Sequence, residues 1–271
     1  MEKNNKDDLK MAQNLGRIKH KLIVLSGKGG VGKSTVSVNL AYALSEKKYM
    51  VGLMDCDMHG PSIPKILGVE EKKPIPSPNG FHPIMVTPNL KVMSIGFLLS
   101  DTDSPVIWRG PMKMGAIKQF IGDVEWGDLD YLIVDLPPGT GDEPLTIAQL
   151  IPKSDGAVIV TTPQDLALVS VRKSINFVKK MNMPVIGIIE NMSGFTCPHC
   201  HKEIDIFKTG GGLKASQDLQ VPFLGKIPLD PNIVVTGDSG ESFLTKHASA
   251  DASKAFVHIV EKIEQIVNQR R

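Results

Sequence analysis

The chain alternates short, continuous apolar runs with longer segments whose apolar residues recur at helical spacing. The apolar runs are unbroken rather than alternating with polar residues, as expected for strands that are covered on both faces. They span residues 22–25, 51–54, 90–94, 131–134, 156–160 and 185–189. Helices are predicted over 34–47, 112–120, 143–150, 166–181 and 249–270. This order predicts an α/β fold, a doubly wound and mostly parallel sheet with helices on both faces.

Two segments interrupt the alternation of strands and helices. Residues 70–88 are rich in proline and predict a connecting loop or hairpin, and residues 196–212 form a second, cysteine-containing loop. Because the alternation resumes after the first segment, we predict a single domain over residues 19–271. Residues 1–18 are predicted to be a flexible leader, since the first ten are mostly polar and lack the apolar core of a secretory signal.

Composition excludes several classes of partner. The 271 residues are 41% hydrophobic and 22% charged, which is typical of a globular protein. A net charge of +2 is too small to predict a nucleic acid or an anionic membrane as a partner. No apolar run reaches the roughly 18 residues of a membrane-spanning helix. Three cysteines do not make a disulfide framework, which favours a reducing, cytoplasmic environment.

A glycine-rich loop follows the first predicted strand and precedes the first predicted helix. It fits the pattern G-x-x-x-x-G-K-[ST] of phosphate-binding loops with Gly27, Lys28, Gly29, Gly30, Val31, Gly32, Lys33 and Ser34. Glycines let successive N–H groups point at phosphate oxygens, and the following helix adds its positive end. Lys33 is predicted to reach the β- and γ-phosphates, and the Ser34 hydroxyl to bind Mg²⁺.

Acidic residues at two further strand ends complete the predicted nucleotide site. Asp135 ends an apolar strand and is predicted to hold Mg²⁺, commonly through a water. Gly139, in the loop that follows, can bring its N–H close to a γ-phosphate, and this loop can change shape when the phosphate leaves. Asp57 is our candidate for orienting the attacking water, and Asp55 for supporting the metal region.

A base pocket is predicted from two other segments. Asn191 ends a strand, and its side-chain amide offers both a donor and an acceptor to an adenine edge, although an ordinary turn asparagine fits the pattern too. Pro228 and Asp230, in the segment 226–231, are candidates for the opposite wall of this pocket.

The pair Cys197 and Cys200 has the C-x-x-C spacing with which two thiolates bind one metal centre. Zinc sites and four-iron clusters usually take four ligands, and Cys56 is expected to be a buried, inert thiol. A symmetric dimer would supply two cysteines from each chain. Three alternatives stay open, namely zinc completed by His199 and His201, a redox dithiol, and ordinary loop thiols.

Taken together, these residues resemble the Mrp/ApbC family, the iron–sulfur cluster carrier ATPases with a deviant phosphate-binding loop. The resemblance extends from about residue 19 to the C-terminus. It is carried by residues 27–35, 55–62, 107–112, 135–142, 190–193 and 197–200. The run Trp-Arg-Gly-Pro-Met at 108–112 and the C-x-x-C pair together separate this family from its relatives.

The resemblance implies a homodimer that binds ATP and Mg²⁺, holds a labile [4Fe–4S] cluster between its subunits and passes it to apo-proteins. Cys197 and Cys200 of each chain would be the cluster ligands. Lys28 would reach across the dimer to the partner's nucleotide, where the alternative is a solvated loop lysine. The residues expected to contact phosphates, Mg²⁺ or adenine are Lys33, Ser34, Thr35 and Asn191.

Two other functions compete with this interpretation. Related deviant-loop ATPases act as spatial regulators on membranes or DNA, and residues 255–271 place apolar side chains at helical spacing before a basic end. A closing helix packed on the sheet explains the same pattern. The third possibility is a zinc-bridged ATPase switch.

Overall fold

The structure is a computed structural model that describes residues 2–98, 110–151, 153–197, 199–200 and 202–270. Its strands, in chain order, are β1 Ile18–Leu25, β2 Val51–Asp55, β3 Ile75–Ser77, β4 Gly80–His82, β5 Ile84–Thr87, β6 Leu90–Ser94, β7 Leu129–Asp135, β8 Gly156–Thr161, β9 Val185–Glu190, β10 Phe195–Thr196, β11 Glu203–Ile204 and β12 Phe223–Lys226. Its helices are α1 Glu2–Gly16, α2 Lys33–Glu46, α3 Ile63–Ile66, α4 Gly110–Asp123, α5 Asp142–Leu150, α6 Asp165–Lys180, α7 Gly211–Leu219, α8 Pro231–Ser239, α9 Phe243–Lys246 and α10 Asp251–Gln269, with a 3₁₀ turn over Ile95–Leu98.

Eight of these strands form one sheet in the order β12-β9-β8-β1-β7-β2-β6-β5. Neighbouring strands are parallel except at one edge, where β5 runs antiparallel to β6. All residues of β2 and β8 are buried, and so are nearly all of β1 and β7. Because successive side chains point to opposite faces, both faces of the sheet must be covered. The predicted doubly wound α/β fold is confirmed.

The N-terminal segment differs from the predicted leader. Glu2–Gly16 forms helix α1, which packs against α4, and β1 begins at Ile18. Met11 and Leu15 lie one turn apart on the same face and are buried, with exposed fractions of 9% and 1%. Asn14 donates a hydrogen bond to the Gly122 carbonyl, 3.0 Å away. This helix was not predicted, because two buried residues in a strongly polar segment make a weak pattern.

We expect Leu15→Ala to lower the free energy of unfolding by about 2–5 kcal/mol, because it opens a cavity in a packed core. Leu9→Ala is the matched control, since Leu9 lies on the same helix and is 64% exposed. The control should change stability by less than about 0.5 kcal/mol. Urea denaturation of both variants measures this difference, and equal effects would mean that α1 does not belong to the core.

The proline-rich segment contains the predicted hairpin. Strands β3 and β4 pair antiparallel, with Ile75 opposite His82 and Ser77 opposite Gly80. The chain then continues into β5, an edge strand that was not predicted, because four residues carry too little pattern to be recognised.

The C-terminal helix α10 packs on β9, β12 and α2. Its apolar face is buried, through Phe256, Ile259, Val260, Ile263 and Val267. The predicted closing helix is therefore confirmed, and this face is not available to a membrane surface. Within the described residues, the structure has no helix that is both long and apolar enough to cross a bilayer.

Two glycines join α3 to α8 by direct backbone contact. Gly68 follows α3 with φ of 63°, and Gly240 caps α8 with φ of 70°. A Cβ added to Gly240 would lie 2.4 Å from the Gly68 Cα, so only glycine fits at this contact.

Candidate functional site

The predicted site residues gather at the carboxyl ends of the central strands. Strand β7 lies between β1 and β2, and its last residue, Asp135, is in register with Asp55 at the end of β2. The phosphate-binding loop leaves the end of β1 beside them. Parallel strands thus bring together residues that are about a hundred positions apart, at the edge where ligands bind in open α/β sheets.

The loop's conformation explains its glycines. Gly30 and Gly32 have φ of 76° and 77°, a left-handed conformation that favours glycine. A Cβ on Gly27 would lie 2.4 Å from the Ser170 carbonyl oxygen on α6, so a side chain is excluded there. Gly32 caps helix α2, whose positive N-terminal end therefore faces the loop. This is the geometry of a phosphate cradle.

Asp135 is the centre of a buried polar cluster. Its carboxylate is fully buried, and Lys33 Nζ lies 2.5 Å from Oδ2. The Ser34 hydroxyl donates to the same oxygen at 2.7 Å, and the Ser37 hydroxyl donates to Oδ1 at 2.6 Å. Lys33 thus neutralises the acid here, and phosphates would have to attract it away. Ser37 was not predicted, although its position three residues after Ser34 on a helix places both hydroxyls on one face.

The chemistry of these donors fits Mg²⁺. The Ser34 hydroxyl and the Asp135 carboxylate are oxygen ligands already in contact, and magnesium is usually held by one or two such groups together with phosphates and waters. The predicted metal role of Ser34 and Asp135 is therefore compatible with their geometry. Thr35 follows at the start of α2, where its carbonyl accepts a hydrogen bond from Asn39 at 2.9 Å.

Asp55 lies behind this cluster and is fully buried. Its carboxylate accepts hydrogen bonds from the Ser94 hydroxyl at 2.9 Å and from the Asp57 N–H at 3.1 Å. Burial, together with the nearby charge of Asp135, raises the pKa of Asp55 to about 7. Ser94 was not predicted; only the register of β6 with β2 places it opposite Asp55.

Asp55 should make the stability of the protein without Mg²⁺ or nucleotide depend on pH. Its pKa rises from 3.8 to about 7 on folding, so the unfolded chain loses this proton first as pH increases. The free energy of unfolding should fall by a few kcal/mol between about pH 4 and about pH 7. Asp55→Asn should remove most of this slope in urea denaturation, whereas Asp57→Asn should retain it. An unchanged slope in Asp55→Asn would contradict the assignment.

The two loops expected to respond to nucleotide are held by local hydrogen bonds. Asp57 is partly exposed, and its carboxylate accepts the His59 N–H at 3.1 Å. Gly139 has φ of 93°, and its N–H donates to the Ser26 carbonyl at 2.8 Å. The Ser26 hydroxyl in turn donates to the Lys28 carbonyl at 2.9 Å. The Gly139 N–H therefore points to the backbone just before the phosphate loop, and the predicted contact with a γ-phosphate would require this bond to break.

Lys28 is half-buried at the start of the loop, and its predicted role across a dimer remains a prediction.

Asn191 meets the phosphate loop directly. Its side chain is buried, and Nδ2 donates to the Val31 carbonyl at 2.9 Å. The adenine contact remains a prediction for this residue. Of the two candidates for the opposite wall, Pro228 lines a cavity of about 490 Å³ shared with the cysteine hairpin β10–β11. Asp230 instead caps helix α8, accepting the Asn232 N–H at 2.9 Å.

The cysteine pair lies at the exposed tip of the β10–β11 hairpin. Cys197 is half-buried and Cys200 is exposed. The N–H groups of Cys200 and His199, followed by the Cys200 thiol, stabilise the Cys197 thiolate and lower its pKa. The thiolate is the form that binds metals. Cys56, by contrast, is buried, as predicted, and burial followed by the charge of Asp55 raises its pKa; its inertness remains a prediction.

The described part of one chain does not complete a metal site around the cysteines. Among the described residues, which exclude Pro198 and His201, no group of three or more His, Cys, Asp or Glu side chains is placed to hold a metal ion. The family-specific segment 107–112 also lies mostly outside the described residues.

Glu190, a fully buried carboxylate at the end of β9, was not predicted as a functional residue. It accepts hydrogen bonds from the Ser193 hydroxyl at 2.5 Å, from the Gly210 N–H at 2.9 Å and from the Gly212 N–H. A buried acid beside Asn191 in an apolar strand was the available signal.

A phosphate cradle between a central strand and a helix, with two buried acids at adjacent strand ends, defines a P-loop nucleotide-binding protein. Residues 17–264 match the family model described as ParA, NUBPL iron-transfer P-loop NTPase. The chain belongs to this family, and the resemblance inferred from its motifs is confirmed.

Close relatives are found in archaea. An iron-sulfur cluster carrier protein of Methanocaldococcus jannaschii is 55% identical over 259 residues, which cover 95% of this chain and 89% of that protein. A protein of the same description from Saccharolobus solfataricus is 48% identical over 264 residues, covering 97% of this chain and 89% of that protein.

Solved structures support the fold assignment. The nucleotide-binding protein of Archaeoglobus fulgidus, in complex with ADP, superimposes with a TM-score of 0.79 at 38% identity, covering 92% of this chain and 96% of that one. The septum site-determining protein MinD of Pyrococcus horikoshii, with Mg-ADP, gives a TM-score of 0.68 at 23% identity, covering 93% and 98%. The second likeness concerns the fold alone.

Proposed function

We propose that this protein is an ATP-hydrolysing iron–sulfur cluster carrier that holds a [4Fe–4S] cluster between two copies of the chain and passes it to apo-proteins. The observation that carries the proposal is the Cys197–Cys200 pair at the tip of a surface hairpin, in the same domain as a phosphate-binding loop whose Lys33 contacts Asp135. A four-iron cluster takes four thiolates, and two such pairs meeting on a two-fold axis provide them. The names of the archaeal relatives support the same cargo.

Exposed apolar side chains around the cysteines support a dimer. Ile204, Ile206, Phe207 and Leu213 lie just beyond the pair in sequence and are 36–52% exposed. Apolar side chains grouped in this way are typical of a surface that another chain covers. A second copy related by a two-fold axis would cover them while bringing its own cysteines to the axis.

Several residues would share the work of hydrolysis. Lys33 would leave Asp135 for the β- and γ-phosphates, and the freed carboxylate would help Ser34 to hold Mg²⁺, which neutralises developing phosphate charge. Asp57, on the exposed loop after β2, would orient the attacking water. Lys28 of one chain would stabilise the transition state on the partner's nucleotide, as a second cation near the transferring phosphoryl group.

Nucleotide binding would affect the cluster by changing the conformation of the loops at this edge of the sheet. Drawing the Gly139 N–H toward a γ-phosphate breaks its bond to Ser26 and releases the loop after β7. The Asp57 loop would move with it. We infer that these changes alter how the two copies pack, and hence how accessible the cluster is to apo-proteins.

Two alternatives remain to be tested against this proposal. A spatial regulator on a membrane is disfavoured by the burial of the apolar face of α10. A zinc-bridged ATPase switch uses the same cysteines and predicts zinc without inorganic sulfide or visible absorbance.

The deciding experiment is metal analysis of protein purified without oxygen and reconstituted with iron and sulfide. We expect a brown dimer with about four irons and four sulfides per two chains, measured by light scattering and chemical assay. A monomer without sulfide would overturn the carrier proposal, and a zinc-containing dimer without sulfide would favour the zinc switch.

A further inference from the structure

Glu190 and Asn191 are consecutive residues that contact two different functional loops. We propose that Glu190 is a positioning residue, which sets the geometry of the cysteine loop and, through Asn191, couples it to the phosphate-binding loop. The inference rests on the proposed function for its biological meaning, but the coupling itself concerns two loops of a single chain and can be tested without a cluster.

The Glu190 carboxylate closes the base of the cysteine loop. Its donors come from both sides of that loop, Ser193 before the hairpin and Gly210 and Gly212 after it. A Cβ added to Gly212 would lie 3.0 Å from the Glu190 Cβ and Oε2, so the fit is tight. One fully buried side chain therefore fixes where the cysteine loop leaves the domain and where it returns.

The chemistry of this arrangement requires a carboxylate. Its three donors are neutral N–H and O–H groups, and together they need an acceptor with two oxygens. A glutamine of the same shape would present an NH₂ group to one of these donors, so at least one hydrogen bond would be lost. Substitution by glutamine therefore tests the hydrogen bonds while nearly preserving the volume.

Asn191 makes the connection to the nucleotide site. Its Nδ2 donates to the Val31 carbonyl at 2.9 Å, and a Cβ on Gly32 would lie 2.4 Å from the same nitrogen. Its backbone N–H donates to the Thr161 carbonyl at 2.7 Å. A shift of the phosphate loop that moves Val31 would also move Asn191. Because Glu190 directly precedes Asn191, this movement is transmitted to the base of the cysteine loop.

A second set of contacts runs in parallel. Helix α6 abuts the phosphate loop, with Ser170 against Gly27, and the loop before α6 abuts the return of the cysteine loop, with Pro163 against Gly211. A Cβ on Gly211 would lie 2.1 Å from the Pro163 carbonyl oxygen. The segment 163–170 thus contacts both functional loops, in addition to the link through Glu190 and Asn191, which makes independent movement of the two loops costly.

The test measures thiol reactivity in the cluster-free protein. In a Cys56→Ala background, the remaining thiols are Cys197 and Cys200, and their rate of reaction with a disulfide reagent reports the state of the cysteine loop. We expect saturating Mg–ATP to change this rate several-fold. Glu190→Gln should raise the rate without ATP by about tenfold, as expected for loss of one hydrogen bond to a charged group, and should abolish the response to ATP.

Two further variants separate positioning from stability. Gly212→Ala crowds the carboxylate from the other side and should reproduce the effect of Glu190→Gln. Asp155→Asn is the matched control, because Asp155 is also a largely buried carboxylate, accepting the Lys21 N–H at 2.8 Å, but lies away from both loops. It should lower the melting temperature without changing thiol rates. Circular dichroism and ATP titration establish that each variant is folded and binds nucleotide.

Unchanged thiol rates in Glu190→Gln and Gly212→Ala would overturn the positioning role, leaving Glu190 with an effect on stability like that of Asp155. If Mg–ATP leaves the thiol reaction rate of the Cys56→Ala protein with wild-type Glu190 unchanged, the coupling would be overturned. Neither outcome depends on cluster loading, so failure of the wild type to bind iron and sulfide would overturn the carrier proposal and leave the loop coupling intact.

Discussion

Cys197→Ala is expected to reduce the iron and sulfide retained after anoxic reconstitution to background. Each chain offers two thiolates on its hairpin, and the described residues provide no third ligand nearby. In the proposed dimer, loss of Cys197 would leave two cysteine ligands, which are too few for a four-iron cluster. The lowered pKa of Cys197 favours its thiolate, the form that binds metals. Iron, sulfide and visible absorbance of the variant and wild type measure the loss.

Cys56→Ala is the matched control for this experiment, since it removes the third cysteine of the chain. Cys56 is buried next to Asp55, and its pKa is raised, so it should contribute nothing to metal binding. Wild-type iron content in Cys56→Ala with none in Cys197→Ala is the expected pattern. Equal iron content in both variants would count against a bridging cluster.

Lys33→Ala should lower ATP hydrolysis by about 10²–10³-fold, the loss that follows removal of a preorganised group from a transition state. Without the ammonium, the β- and γ-phosphates would lose the cation that Lys33 is predicted to supply. The substitution also leaves Asp135 as an unpaired, fully buried charge, which should cost about 3–5 kcal/mol of stability. Steady-state phosphate release, nucleotide titration and urea denaturation measure the three effects separately.

The control for Lys33→Ala is Lys21→Ala, which removes another buried lysine, in the middle of β1, whose ammonium points away from the phosphate loop toward the start of that strand. Lys21 Nζ donates to the Ile18 carbonyl at 3.0 Å, so this variant should also lose stability. It should keep ATP hydrolysis at the temperature where both variants are folded. Cluster transfer to an apo-protein should respond to ATP in Lys21→Ala and not in Lys33→Ala; equal transfer rates for wild type and Lys33→Ala would contradict an ATP-driven carrier.

The central architecture could be predicted because its strands are continuous apolar runs. All six predicted strands lie within observed ones, and the ends of the five predicted helices agree within three residues. Strands β5 and β12 escaped prediction because they are short and lie at the sheet edges, where burial is incomplete. Helix α1 escaped because its buried face consists of few residues in a polar segment.

The nucleotide site could be predicted where its chemistry is local in sequence. The loop glycines, Lys33 and Asp135 belong to short motifs at strand ends, and the sheet brings them together. Ser94 and Glu190 could not be assigned in advance, since strand register and the return of a distant loop give them their partners. For the same reason, the Asn191 contact with Val31 is visible only in three dimensions.

The glycine pair at 68 and 240 determines where the Asp57 loop can bend. Because α3 is locked to α8 backbone against backbone, it must travel with the bulk of the domain. Asp55 is likewise immobilised by Ser94 at the end of β2. If ATP turnover rearranges this loop, the movement would be confined to residues 56–62, between these anchors, and Asp57 would move while both ends of its loop stay fixed.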